Sequence, residues 1–144
     1  MAPPRFESLP WCHARPDLCY HARMAGIVFV RTTDLARLRS FYTNEIGMEP
    51  WVAQPDIDIL RHGNLLAGFV QSERADTDAL LTFFYRSRDE VDAMYARLRD
   101  RATTVPEENE RYRIYNFFAS DPDGRRVEFQ AFLHELPGVP GVSW

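Results

Sequence analysis

Lysine is missing from this chain: all 17 basic side chains among its 144 residues are arginines. With no side-chain amine, Schiff-base and amine-nucleophile chemistry are excluded, and coding bias is the simplest cause of the all-arginine composition. Cysteine is scarce too. Its two copies, Cys12 and Cys19, both precede residue 24, which leaves the remainder without a thiol for nucleophilic, redox or zinc chemistry. No apolar run approaches the length of a membrane span, and the N-terminus lacks the basic and apolar segments of a secretory signal, so the expectation is a cytoplasmic protein with no membrane partner. Nor is there a basic stripe beside the aromatic residues. At a net charge of −4 the chain lacks the footprint of phosphate-backbone binding, and nucleic acid is not an expected partner.

What is present suffices for one sizeable core, since 45% of residues are hydrophobic and 13% aromatic. The body of the chain repeats. Residues 26–33 form a strand-like run that leads through Asp34 into a helix pattern ending in Phe41-Tyr42; residues 79–86 do the same through Ser87, ending in Met94-Tyr95. The offset is 87 − 34 = 53 residues. Two copies are too few for a stacked array and point to a duplicated module about a pseudo-twofold axis.

In the first copy Asp34 is the expected N-cap, Leu35, Leu38, Phe41, Tyr42 and Ile46 give a helical apolar stripe, and Gly47 ends it. Strands are expected near 49–53, 57–62 and 64–71, with Arg61-His62-Gly63-Asn64 marking a hairpin. In the second, Ser87-Arg88-Asp89-Glu90 reads as a capping box, and Asp121-Pro122-Asp123-Gly124 joins strands over 112–119 and 125–132. The chain therefore divides into an N-terminal extension at 1–23, one domain at 24–133 made of modules 24–71 and 79–133 with a linker at 72–78, and a Pro/Gly-rich tail at 134–144. Met24 reads as the natural start. The alternative gives Cys12, His13, Cys19 and His21 a metal-binding role, although their spacing matches no standard zinc pattern.

With the order strand, helix, strand, strand, strand twice over, Asp34-Leu35, Phe41-Tyr42, Gly47 and the run Asp121 to Phe129, the chain resembles the vicinal oxygen chelate superfamily. That group includes glyoxalase I, bleomycin-resistance proteins, fosfomycin-resistance enzymes, methylmalonyl-CoA epimerase and extradiol dioxygenases. The likeness covers residues 25 to about 133. It implies an α+β fold of two βαβββ modules whose mixed sheets form a cup with outer helices, in many members around a divalent ion that chelates two neighbouring substrate oxygens. It also implies that a homodimer is one available assembly, in some members with modules exchanged between chains.

The ligand positions that the resemblance implies can be read one by one. The first-strand ligand falls on Ile27, and the repeat carries it to Leu80. The last-strand ligand of module one falls on Ala67 or Gly68, depending on whether Gly63 is set over Gly124 or Phe69 over Phe129. None of these can hold a cation; only Glu128 can. One carboxylate is too few for a specific transition-metal site, so no cofactor is expected, a divalent metal completed by His62 or Gln71 being the competing reading.

Alternation from an inward Glu128 places Arg126 and Gln130 beside it, and Ile27, Phe29, Arg31, Leu80, Thr82 and Phe84 along the two first strands. For strand 112–119 either face can look inward; Arg113 and Tyr115 become ligand-binding residues if theirs does. Phe29, Arg31, Phe84, Arg113, Tyr115, Arg126 and Gln130 are thus the expected ligand contacts, and Glu128 the candidate catalytic group. Such a lining suits a small organic molecule. The leading expectation is a metal-free binding protein; the runner-up is a lyase, isomerase, epimerase or dioxygenase using Glu128 as acid, base or ligand, against a structural role for Glu128 in an ion pair with Arg126 or Arg31. A protein-binding module with a collapsed cup is the third.

Overall fold

The computed structural model describes residues 25–139 and 141–143. Cys12, His13, Cys19 and His21 lie outside the described residues. Two four-stranded mixed sheets, each with a helix on one face, make up the fold.

Module one begins with β1 (Val28–Thr32), whose β-branched residues favour an extended chain. Asp34 then caps α1 (Leu35–Ser40), its Oδ1 accepting the Arg37 amide at 3.0 Å. The helix does not simply run on to Gly47. Residues Phe41–Ile46 widen into a π-helical turn, which brings Phe41, Tyr42 and Ile46 together on the buried side. Gly47 ends it at φ +90°, a left-handed conformation open to glycine. Strands β2 (Glu49–Gln54), β3 (Ile57–His62) and β4 (Leu65–Gln71) follow as antiparallel neighbours, and β1 lies parallel to β4.

Module two repeats this plan with β5 (Leu81–Tyr85), α2 (Arg88–Arg97), β7 (Ile114–Ser120) and β8 (Arg126–Phe132), and β5 lies parallel to β8. The capping box is formed: Ser87 accepts the Glu90 amide, and the Glu90 carboxylate accepts the Ser87 amide. A short edge strand, β6 (Glu107–Asn109), occupies the acidic stretch between α2 and β7. No helix among the described residues is long and apolar enough to cross a membrane.

Each helix covers one face of its own sheet, and the two buried faces join in a single core. In module one Tyr42 stacks on Phe69; in module two Phe83, Phe129 and Phe117 stack in series. Polar contacts also tie the modules. Arg125, fully buried in the β7–β8 turn, donates to the backbone oxygens of Arg31 (3.0 Å) and Asp76 (2.7 Å), and pairs with Asp121. Asp121 also accepts the Tyr42 hydroxyl at 2.9 Å, and burial together with that carboxylate pushes the phenol upward.

At the other end of the junction His62 sets its ring edge against Phe83, 5.0 Å between centroids. Burial lowers its pKa from the ordinary value of 6.5, outweighing the opposite pull of Glu49. The unfolded chain therefore binds the proton first as pH falls, so stability conferred by this contact declines with acidification from 6.5 downward. We expect the urea midpoint to drop more steeply between pH 7 and 5 in the native chain than in His62→Gln; parallel profiles would show that His62 is not responsible.

Candidate functional site

Each sheet has a second face that bears no helix, called the open face below, and strand alternation decides which side chains it carries. In β8, Val127, Phe129 and Ala131 turn into the core, which leaves Arg126, Glu128 and Gln130 on the open face. Glu128 is only 9% exposed and is held from both sides: the Thr82 hydroxyl donates to Oε2 at 2.8 Å, and the Asn116 amide donates to Oε1 at 2.7 Å. Each carboxylate oxygen keeps a further lone pair for a ligand. Arg126 does not pair with Glu128. Its guanidinium lies 4.3 Å from the centre of the Phe118 ring, so the ion pair anticipated from sequence is replaced by a cation–π contact.

Arg31, the other expected partner, is also engaged elsewhere. It is exposed on the open-face side of β1 but binds the linker carboxylate of Asp76, with Nε to Oδ1 at 2.9 Å and Nη2 to Oδ1 at 2.6 Å. These bonds hold the Asp76 carboxyl down at about 2. Phe84 lies on the open face opposite Gln130, its ring edge-on to Phe132 at 5.6 Å.

Arg113 and Tyr115 are not on this face. Tyr115 turns to the helix side, where its hydroxyl donates to Asp92 at 2.8 Å and Arg88 covers its ring at 5.1 Å. Arg113, at φ +52°, donates to the Leu133 carbonyl and lines a shallow hollow of about 350 Å³ with Arg88 and Glu108 at the start of α2. Ile114, Asn116 and Phe118 face Glu128's side instead. The hairpin register explains this: Ser120 pairs with Arg126, which sets Phe118 opposite Glu128 and Asn116 opposite Gln130. Directly paired residues share a face, so counting back from the turn at 121–124 would have found Asn116 and Phe118.

The register also settles which residue of module one corresponds to Glu128. Phe29 pairs with Gly68 and Thr82 with Glu128, and 82 − 29 = 53 is the repeat offset. Gly68, not Ala67, is the counterpart. Its missing side chain is occupied by Phe29, whose ring would lie 2.3 Å from a Cβ at position 68. Across the sheet the same row continues through Ile59, 4% exposed, to Val52. Module one therefore presents a hydrocarbon row where module two presents Thr82, Glu128 and Phe118.

This arrangement is tested against the divalent ion of the resemblance by its donors. Ile27, Leu80 and Gly68 offer none, Glu128 alone offers a carboxylate, and among the described residues no three His, Cys, Asp or Glu side chains converge. His62, proposed as a substitute, packs on Phe83, while Gln71 caps α1 by accepting the Leu35 amide at 2.9 Å and donating to the Thr33 carbonyl at 2.7 Å. The donor set does not fit a transition metal.

Residues 23–129 match the family model of the glyoxalase/bleomycin resistance protein/dioxygenase superfamily. The chain belongs to that superfamily. Solved structures agree at the level of fold. An integron cassette protein from the mobile metagenome of the Halifax Harbour sewage outfall is 17% identical with a TM-score of 0.66, over 76% of this chain and 99% of its own. A glyoxalase/bleomycin resistance protein/dioxygenase family enzyme from Burkholderia phytofirmans PsJN is 20% identical with a TM-score of 0.66, over 74% and 97% respectively. The lactoylglutathione lyase of Agrobacterium tumefaciens is 18% identical with a TM-score of 0.62, over 76% and 93%. No functionally curated protein matches the chain. Between the two repeats of this chain, then, Glu128 of module two answers to Gly68 of module one, which Phe29 covers.

Proposed function

We propose that this superfamily member acts in the cytoplasm by binding a small organic molecule on the open sheet faces, with hydrocarbon where a bridging cation would sit. The observation that carries the reading is the Phe29 ring lying across Gly68, the counterpart of Glu128. A half-exposed aromatic on a sheet face offers contact area to a guest, and Glu128 on the other module fixes its orientation by hydrogen bonds. Two copies closing their open faces over shared guests would cover Phe29 and Leu80, exposed by 50% and 48%, and a homodimer forms part of the proposal.

The test combines metal content with ligand-observed NMR on a panel of aromatic fragments. Substoichiometric metal in gently purified protein, and fragment binding that weakens about tenfold in Phe29→Ala, about 1.4 kcal/mol, is the expected result. Near-stoichiometric zinc, iron, nickel or manganese would overturn the reading.

One observation favours turnover as a second reading: Glu128 is fixed by two donors yet retains free lone pairs toward the open face. Such a carboxylate can take a proton from a carbon next to a carbonyl. Deuterium from D2O would then enter a bound guest with the native protein and at least a hundredfold more slowly with Glu128→Gln, a loss typical of removing a general base. Equal incorporation with both proteins removes Glu128 from the chemistry.

A further inference from the structure

On the reading that a small molecule binds the open faces, we infer that module two selects a small organic acid that also carries a hydroxyl or amino group, with Arg126 anchoring the acid and Glu128 and Gln130 reading the rest. Charge and hydrogen-bond accounting on this surface leads there. Three arginines lie on open-face positions of the sheets. Arg31 is held by Asp76 and Arg61 by Glu49, which leaves Arg126 with no acidic partner among the described residues. A cation over a ring keeps its N–H donors, so the Arg126 guanidinium, 4.3 Å from the centre of Phe118, can still bind a carboxylate.

Gln130 supplies an independent observation. It is 91% buried by the measure of its 9% exposure, yet its carboxamide has no hydrogen-bond partner among the described residues. Its amide atoms are not sealed from solvent either, so they point to where a guest can reach them. Water satisfies this amide in the free protein, and a ligand hydroxyl, amine or carbonyl can take the place of that water. Asn116 beside it spends its N–H on Glu128 and keeps its Oδ1 as an acceptor.

The order along β8 gives the ligand its polarity. Arg126, Glu128 and Gln130 point the same way about 7 Å apart in succession. Acceptors gather at the far end, since Glu107 on β6 lies opposite Asn116, two strands from Gln130 and away from Arg126. A molecule laid along the strand therefore meets a cation at one end and hydrogen-bond acceptors at the other. A neutral hydrocarbon leaves all of them unmatched, and an organic cation meets Arg126 head on.

The experiment uses four probes on one ring: 3-hydroxybenzoate, 3-hydroxybenzamide, 3-hydroxybenzylamine and benzoate. Each is titrated into the full isotope-labelled chain while the side-chain amide signals of Gln130 and Asn116 are followed. The expected result is that 3-hydroxybenzoate binds at least tenfold more tightly than the amine and several-fold more tightly than benzoate. In Arg126→Gln, at an exposed position that does not support the core, the preference over 3-hydroxybenzamide should vanish. Equal or tighter binding of the amide or amine in the native chain, or an acid affinity unchanged in Arg126→Gln, overturns the selectivity while leaving small-molecule binding intact. Failure of every probe, at millimolar concentration, to move either amide signal overturns both.

Discussion

Replacing Arg125 with Met is expected to lower the stability of the chain by about 3–5 kcal/mol, the range found when one partner of a buried ion pair is removed. Arg125 is fully buried; it makes long-range bonds to the Arg31 carbonyl in β1 and the Asp76 carbonyl in the linker, and local ones to the carboxylates of Asp121 and Asp123 in its own turn. A methionine fills the volume but leaves Asp121 as a buried charge. The Tyr42 hydroxyl and the amides of Asp123 and Arg125 still reach that carboxylate, which favours the lower end of the range. Urea unfolding measures the loss. A deficit below about 1 kcal/mol would mean that the ion pair does no more than a surface bridge. The module junction is the region affected, so the loss should come with faster proteolysis in the linker.

Phe129→Ala and Phe29→Ala form the second expectation, and their contrast matters more than either value. Phe129 is the middle ring of the Phe83–Phe129–Phe117 stack, fully buried, with centroid distances of 5.7 and 5.1 Å. Its removal leaves a cavity that neighbours on both sides cannot fill, at a cost of about 3–5 kcal/mol. Phe29 is half exposed and rests on a glycine, so its loss is expected to cost less than about 1 kcal/mol while weakening guest binding as described above. If the two variants prove equally unstable by urea denaturation, Phe29 belongs to the structural core rather than to a binding surface.

Much of the fold was legible because its signals are local. The caps at Asp34 and Ser87, the stop at Gly47 and the turn at 121–124 each act within a few residues, and the duplication showed the helix cap twice. The widened turn at Phe41–Ile46 was hidden, since an apolar stripe drawn at the ordinary helical period fits those residues nearly as well. Strand β6 was hidden because its glutamates lie on an exposed edge and carry no hydrophobic alternation.

The candidate site was legible to the extent that parity sufficed. Arg126, Glu128 and Gln130 follow from one assumption about β8. The faces of β7 needed the hairpin register, and without it Arg113 and Tyr115 were as good as Asn116 and Phe118. Whether Ala67 or Gly68 answers Glu128 depended on the parallel pairing of strands some forty residues apart, which no local pattern encodes. Likewise Arg31 and Arg126 look alike in sequence. Only tertiary structure gives one to Asp76 and the other to an aromatic ring.

The seating of Phe29 on Gly68 also bears on how changes at the two positions combine. An acid installed at 68 has room only if the half-exposed Phe29 ring swings aside, and trimming position 29 alone bares the main chain of Gly68. Substitutions at 29 and 68 are therefore expected to be non-additive, because each sets the space available to the other.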